Sequence, residues 1–202
     1  MSIDTYDNLK AEVANHLDRD DLSDDVDTFI DLCETRLKRD VRIREMVERE
    51  AITVNARQVA LPTGFLEMVN LRLLTTPVTV LQEVNLHEMT RIRSESTGKP
   101  KYFACYGQEI EFDQSPDSSY SGEIIYYKSE DPLSGSTATN AILEKAPDLY
   151  LYGSLLAAAP FLMNDERLPT WEKLYTSARD GVNFQDRKLA GPLVSRIVGA
   201  TP

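Results

Sequence analysis

The chain has 202 residues, 42% of them apolar and 27% charged, which suits one domain, or one domain with an inserted subdomain, and suffices for a core without staples. Its net charge of -11 and pI of about 4.7 weigh against a general nucleic-acid binder, whose affinity rests on Lys and Arg neutralising phosphates. The wall of a channel that must let DNA pass would benefit from the same acidity.

Thr5 is a suitable N-cap for a first helix over Tyr6–Leu17, with Tyr6, Leu9, Val13 and Leu17 on one face. The Asp-rich link Asp18–Leu22 leads to Ser23, a second N-cap. Asp24, Asp25 and Asp27 follow in the first turn, where the helix dipole favours negative charge. Arg36, Lys38 and Arg39 come near the far end, where it favours cations. Between them Val26, Phe29, Ile30, Cys33 and Leu37 form one buried stripe. The helix exits through the run Glu34–Met46, whose Arg36, Arg39, Arg42 and Arg44 lie off that stripe, on a face that must meet water, an anion or another protein. Nothing in the run is catalytic in type, and it reads as an assembly surface.

At Ala51 the hydrophobic period changes to two. Ile52 and Val54 alternate with polar residues, Asn55-Ala56-Arg57 can turn, and Val59 and Leu61 alternate again, which predicts a hairpin. Leu61-Pro62-Thr63-Gly64-Phe65 breaks the pattern before a strand over Glu67–Leu74. The Thr76-Pro77 turn leads to Val78–Leu81, then to a short helix over Leu86–Arg93 capped by Asn85. Strands are predicted at Lys101–Tyr106, Glu109–Phe112 and Tyr120–Lys128, and Ser129–Thr139 is a Ser/Thr/Gly loop.

Pro147 suits the first position of a helix running to Met163. Its small residues Gly153, Ser154, Ala157, Ala158 and Ala159 permit close packing, and Pro160 should bend its end. A last helix, about Pro169–Leu189, carries Trp171, Leu174, Tyr175, Ala178 and Val182 at helical spacing, and Gly191-Pro192 stops it. The expected fold is α+β. Residues 1–50 and 140–190 would form a four-helix bundle from the N- and C-terminal helix pairs, 51–139 an inserted small antiparallel β subdomain, and 191–202 an extended C-terminal tail.

Chemistry-bearing motifs are missing. An EF-hand loop begun at Asp18 would need an oxygen ligand where Leu22 stands, Gly at Ser23 and a bidentate Glu at Phe29, so the aspartates read as solvated helix-capping charges. His16 and His87 have no zinc spacing. Gly153-Ser154 lies inside a helix and lacks the turn of a nucleophile elbow. Tyr102, Tyr106, Tyr126 and Tyr127 could stack bases, but Lys101 and Lys128 are too few for an electrostatic track, and a small sheet more often uses such rings as core. No stretch reaches the roughly 18 apolar residues of a membrane span, and Met1–Asp7 lacks the pattern of a signal peptide. Cys33 and Cys105 are expected as core thiols of a protein made in the cytosol. The expectation is a non-enzyme without cofactor or metal.

Four stretches together resemble a known family. They are the opening helix with Leu22–Ile30, the Arg36–Met46 run, Leu61-Pro62-Thr63-Gly64-Phe65-Leu66-Glu67, and, most specific, Ala146–Leu162 with Asp165-Glu166-Arg167 and Trp171 behind it. In these the chain is similar to the head-to-tail adaptor (connector or tail accessory) proteins of tailed bacteriophages, over about Thr5–Leu189. The resemblance implies a structural virion protein at the head–tail junction, made in the host cytoplasm and assembled as a dodecameric ring beneath the portal. DNA would pass through its centre without specific binding. The implied partners are the portal protein, a downstream nozzle or tail-tube protein, and further copies of the chain. Docking of the tail on the portal through Leu193, Val194, Arg196, Ile197 and Val198 is inferred from the resemblance, although this segment lies outside the recognisable pattern. For Arg36, Arg39, Arg42 and Arg44 three readings stay open: pairing with acidic surfaces of a neighbouring subunit or the portal, contact with DNA phosphates, or a solvated face balanced by Asp40, Glu45 and Glu48. The rival function is a nucleic-acid-binding regulator that uses Arg36–Arg44.

Overall fold

Thr5 starts the first helix as its hydroxyl accepts from the Asn8 N–H at 3.3 Å. The computed structural model describes residues 2–162 and 165–189, and among them are six α-helices. These are α1 (Tyr6–Leu17), α2 (Val26–Asp40), α3 (Leu86–Ile92), α4 (Ala141–Lys145), α5 (Pro147–Ala157) and α6 (Leu168–Leu189). The strands are β1 (Val47–Val54), β2 (Gln58–Ala60), β3 (Phe65–Leu73), β4 (Thr79–Val80), β5 (Gln82–Glu83), β6 (Tyr102–Tyr106), β7 (Glu109–Phe112) and β8 (Tyr120–Lys128). The chain folds as two units, one made of the segments up to Arg44 and from Glu130 onward, the other of Glu45–Ser129.

In the first unit α5 is the hub, packed by α1, α2, α4 and α6. Its buried residues Leu149, Tyr150, Leu151, Gly153, Ser154 and Leu155 span most of its circumference, as in a helix enclosed by others. The stripe of α2 meets it: Phe29, Ile30, Cys33 and Leu37 are all buried. A Cβ on Gly153 would overlap Cys33 Sγ and lie 3.2 Å from Tyr175 Cε2, so α2, α5 and α6 approach closely because this position is glycine.

The second unit is built on two four-stranded sheets, ordered β1-β8-β3-β4 and β2-β7-β6-β5. The long β8 runs antiparallel to both β1 and β3, pairing Val54 with Tyr120 and Leu71 with Ile124. Both sheets contribute to one core, with Val54, Leu71, Ile124 and Tyr126 from the first and Phe103, Ile110 and Phe112 from the second. Gly107 makes the β6–β7 turn with φ +58, which L side chains rarely adopt. Asn85 caps α3, its Oδ1 accepting from the Glu88 N–H at 2.8 Å.

This architecture corrects the expected fold. The helices form no four-helix bundle: α5 is surrounded rather than paired, and the extra helix α4 precedes it, capped by Asn140 Oδ1 accepting from the Leu143 N–H at 2.9 Å. The β part is not a small antiparallel insertion, because its alternating strands supply inward side chains to two sheets, and β5 runs parallel to β6. The expected hairpin of Ile52–Val54 with Val59–Leu61 does not form, since β1 pairs with β8 and β2 with β7. Ser23 does not cap the second helix: it lies in a 3-10 turn over Asp20–Asp25, and α2 begins at Val26. The fifth helix ends at Ala157, with Pro160 in a separate 3-10 turn over Ala159–Phe161.

Candidate functional site

The arginine run leaves α2 where α6 crosses its end. Helix α2 stops at Asp40 because Val41 is extended, which frees the last carbonyls for other donors. Arg42 supplies one, its Nη1 donating to the carbonyls of Lys38 at 2.8 Å and Val41 at 2.7 Å. Asn183 of α6 supplies a second, its Nδ2 donating to the Asp40 carbonyl at 2.9 Å. The same amide accepts the Arg42 N–H at 3.1 Å, so one side chain bridges both sides of the helix exit.

Arg36 is held on the same corner. Its guanidinium lies 4.2 Å from the centroid of the Tyr175 ring, and its Nε is 3.6 Å from the Asp40 carboxylate. The Tyr175 hydroxyl donates to Asp40 Oδ2 at 3.3 Å, and burial followed by the Asp40 charge pushes the phenol above its ordinary range. Arg39 and Arg44 are exposed. Arg36 and Arg42 are thus engaged at their own helix end, and Arg39 and Arg44 are both exposed. Leu193, Val194, Arg196, Ile197 and Val198 lie outside the described residues.

Below this corner a buried polar network fastens the segment before α4. Glu34 Oε1 accepts the Leu133 N–H at 2.8 Å and the Tyr150 hydroxyl at 3.3 Å. Asn140 Nδ2 donates to the Tyr150 oxygen at 2.7 Å and to the Asp131 carbonyl at 3.3 Å. Burial raises the Glu34 carboxyl above the usual carboxylate range, although the Leu133 N–H and the Tyr150 hydroxyl favour its charged form. Cys33 is equally enclosed, with its thiol pushed up to about 12 by burial, whereas Cys105 is half-buried. Both are free thiols.

Sequence reasoning missed Asn183 and Tyr175 as partners of this corner, and Glu34 as an acceptor in the buried network. One signal was present: Tyr175, Arg179 and Asn183 recur every fourth residue and so share a face of α6. Nothing local could show that this face meets the end of α2. Among the described residues no group of three or more His, Cys, Asp or Glu could hold a metal, and no helix is long and apolar enough to cross a membrane.

Compared with protein-family models, residues 4–196 match the family described as SU10 adaptor protein, and the chain belongs to this family of phage head–tail adaptors. Membership places it among the structural proteins of the virion and suggests a role other than catalysis. A search of curated proteins gave no match.

Proposed function

We propose that this adaptor joins the portal vertex of the phage head to the tail. It assembles there as a dodecameric ring that extends the DNA channel and presents a surface to a nozzle or tail-tube protein. The family match over residues 4–196 is the observation that carries this reading. The exposed Arg39 supports it, as a cation beside a helix exit that Asn183 bridges suits an acidic surface of a neighbouring copy or the portal. The net charge of -11 suits DNA passing without being gripped. The protein would be made in the host cytoplasm and act at the head–tail junction.

On this reading the segment from Leu193 to Pro202 docks on the portal through Leu193, Val194, Arg196, Ile197 and Val198. Burial of each larger aliphatic yields about 1.5–3 kcal/mol, and ordering each residue's backbone costs about 1–2 kcal/mol. A single segment is then close to break-even, and firm attachment needs several copies acting together on one ring.

Native mass spectrometry of the protein alone and mixed with its portal protein tests the proposal. A dodecameric complement on the portal ring is expected. A chain that remains unbound beside an intact portal ring would count against it, and salt-sensitive DNA binding in its place would point to the regulatory role.

A further inference from the structure

The outward face of α2 carries a charge gradient along one helix. Asp24, exposed, and Asp25, half-buried, close the 3-10 turn just before it, Arg39 is exposed near its end, and none of the three forms an ion pair among the described residues. Between them lie Thr28, Leu32 and Thr35, all exposed, and Leu32 keeps 52% of its surface in water. At 100° per residue, Thr28, Leu32 and Arg39 fall within about 40° of one another on the helix, and Asp25, the residue just before it, flanks that sector. The face thus reads acid, small polar residue, apolar anchor, base.

We propose that the free chain pairs with a second copy through this face, the two α2 helices running antiparallel. An antiparallel two-fold centred on Leu32 brings Leu32 against its counterpart. It sets Arg39 of each copy opposite Asp25 of the other, so each ion pair occurs twice. A parallel arrangement would oppose like charges. This complementarity selects a second copy as the occupant: a partner of uniform charge would meet one end of the gradient favourably and the other unfavourably. A single helix pair is smaller than a permanent interface, so the dimer is weak and reversible. Because it covers Arg39, it competes with the assembly contacts proposed above.

Sedimentation velocity of the full chain across a concentration series, at low and at high salt, tests this. The expected result is a monomer–dimer equilibrium weakened by salt. Arg39→Asp and Asp25→Arg alone should each weaken it by on the order of tenfold or more, because each places like charges at both contacts. The decisive sample is an equimolar mixture of the two variants, in which both contacts become attractive again and a heterodimer forms. That recovery also shows that neither substitution has unfolded the chain. A wild-type chain that stays monomeric, an Arg39→Asp chain that dimerises as the wild type does, or a mixture that remains monomeric would each overturn the proposal. The measurement contains no portal protein, so failure here leaves the ring reading standing, and failure of ring assembly leaves this one.

Discussion

Gly153 allows α2 and α6 to approach α5 as closely as they do, since the space where its Cβ would stand belongs to Cys33 Sγ and the Tyr175 ring. Gly153→Ala should destabilise the protein by about 1–3 kcal/mol, the usual cost of overpacking a full core. Adding Cys33→Ala should return part of that loss by removing the nearest obstructing atom. Urea melts of the single and double variants measure both effects, and equal loss in the two would show that Tyr175 is the obstacle instead. Glu34 makes a prediction of opposite sign. Burial holds its folded-state pKa above the ordinary glutamate range, so folding favours its protonated form. Stability from this group is full below the unfolded pKa and is lost as pH rises through the folded one. Glu34→Gln keeps an acceptor for the Leu133 N–H and carries no charge to bury. It should raise the melting temperature at pH 7–8 and lose that advantage below about pH 4, where the native carboxyl is neutral in both states. A thermal melt series across pH checks it, and a variant less stable at neutral pH would mean that the charge itself holds the network.

At the scale of the element, the exit of α2 depends on a single amide from α6. Asn183→Ala removes a donor to the Asp40 carbonyl and an acceptor for the Arg42 N–H, and should cost about 1–2 kcal/mol in denaturant unfolding. Asn183→Asp keeps the acceptor and loses the donor, so it should fall between the wild type and Ala; an Asp variant as stable as the wild type would make the bond to Asp40 dispensable. Elements like α1, β7 and β8 were legible in the sequence because their signals are local. Thr5 and Asn85 cap through hydrogen bonds three residues away, and strand alternation needs no distant partner. The helix over Ala141–Lys145 escaped because five residues are too short to show a period, although Asn140 is a regular N-cap. Ser23 misled because aspartates on both sides of it suit a 3-10 turn as well as a helix start.

At the scale of the whole molecule, the test of function is assembly. Removal of Leu193–Pro202 should abolish association with the portal while leaving the melting temperature unchanged, as portal pull-down and calorimetry would show. Undiminished binding would remove that segment from the docking role. Residue types and spacing alone determined the acidic character, the caps at Thr5 and Asn85, the apolar stripes of the longer helices, strands such as β7 and β8, the arginine-rich exit and the resemblance to phage adaptors, because each is written in charges and periods within a few residues. Only the tertiary structure decided that β1 pairs with β8 across more than sixty intervening residues, that two sheets share one core, that α5 is enclosed on nearly all sides, and that Arg36 and Arg42 turn onto their own helix end while Arg39 stays in water. Strand alternation specifies a face but not a neighbour, and an amphipathic stripe specifies burial but not what buries it. The partner is chosen by the fit of distant surfaces, which no local pattern encodes.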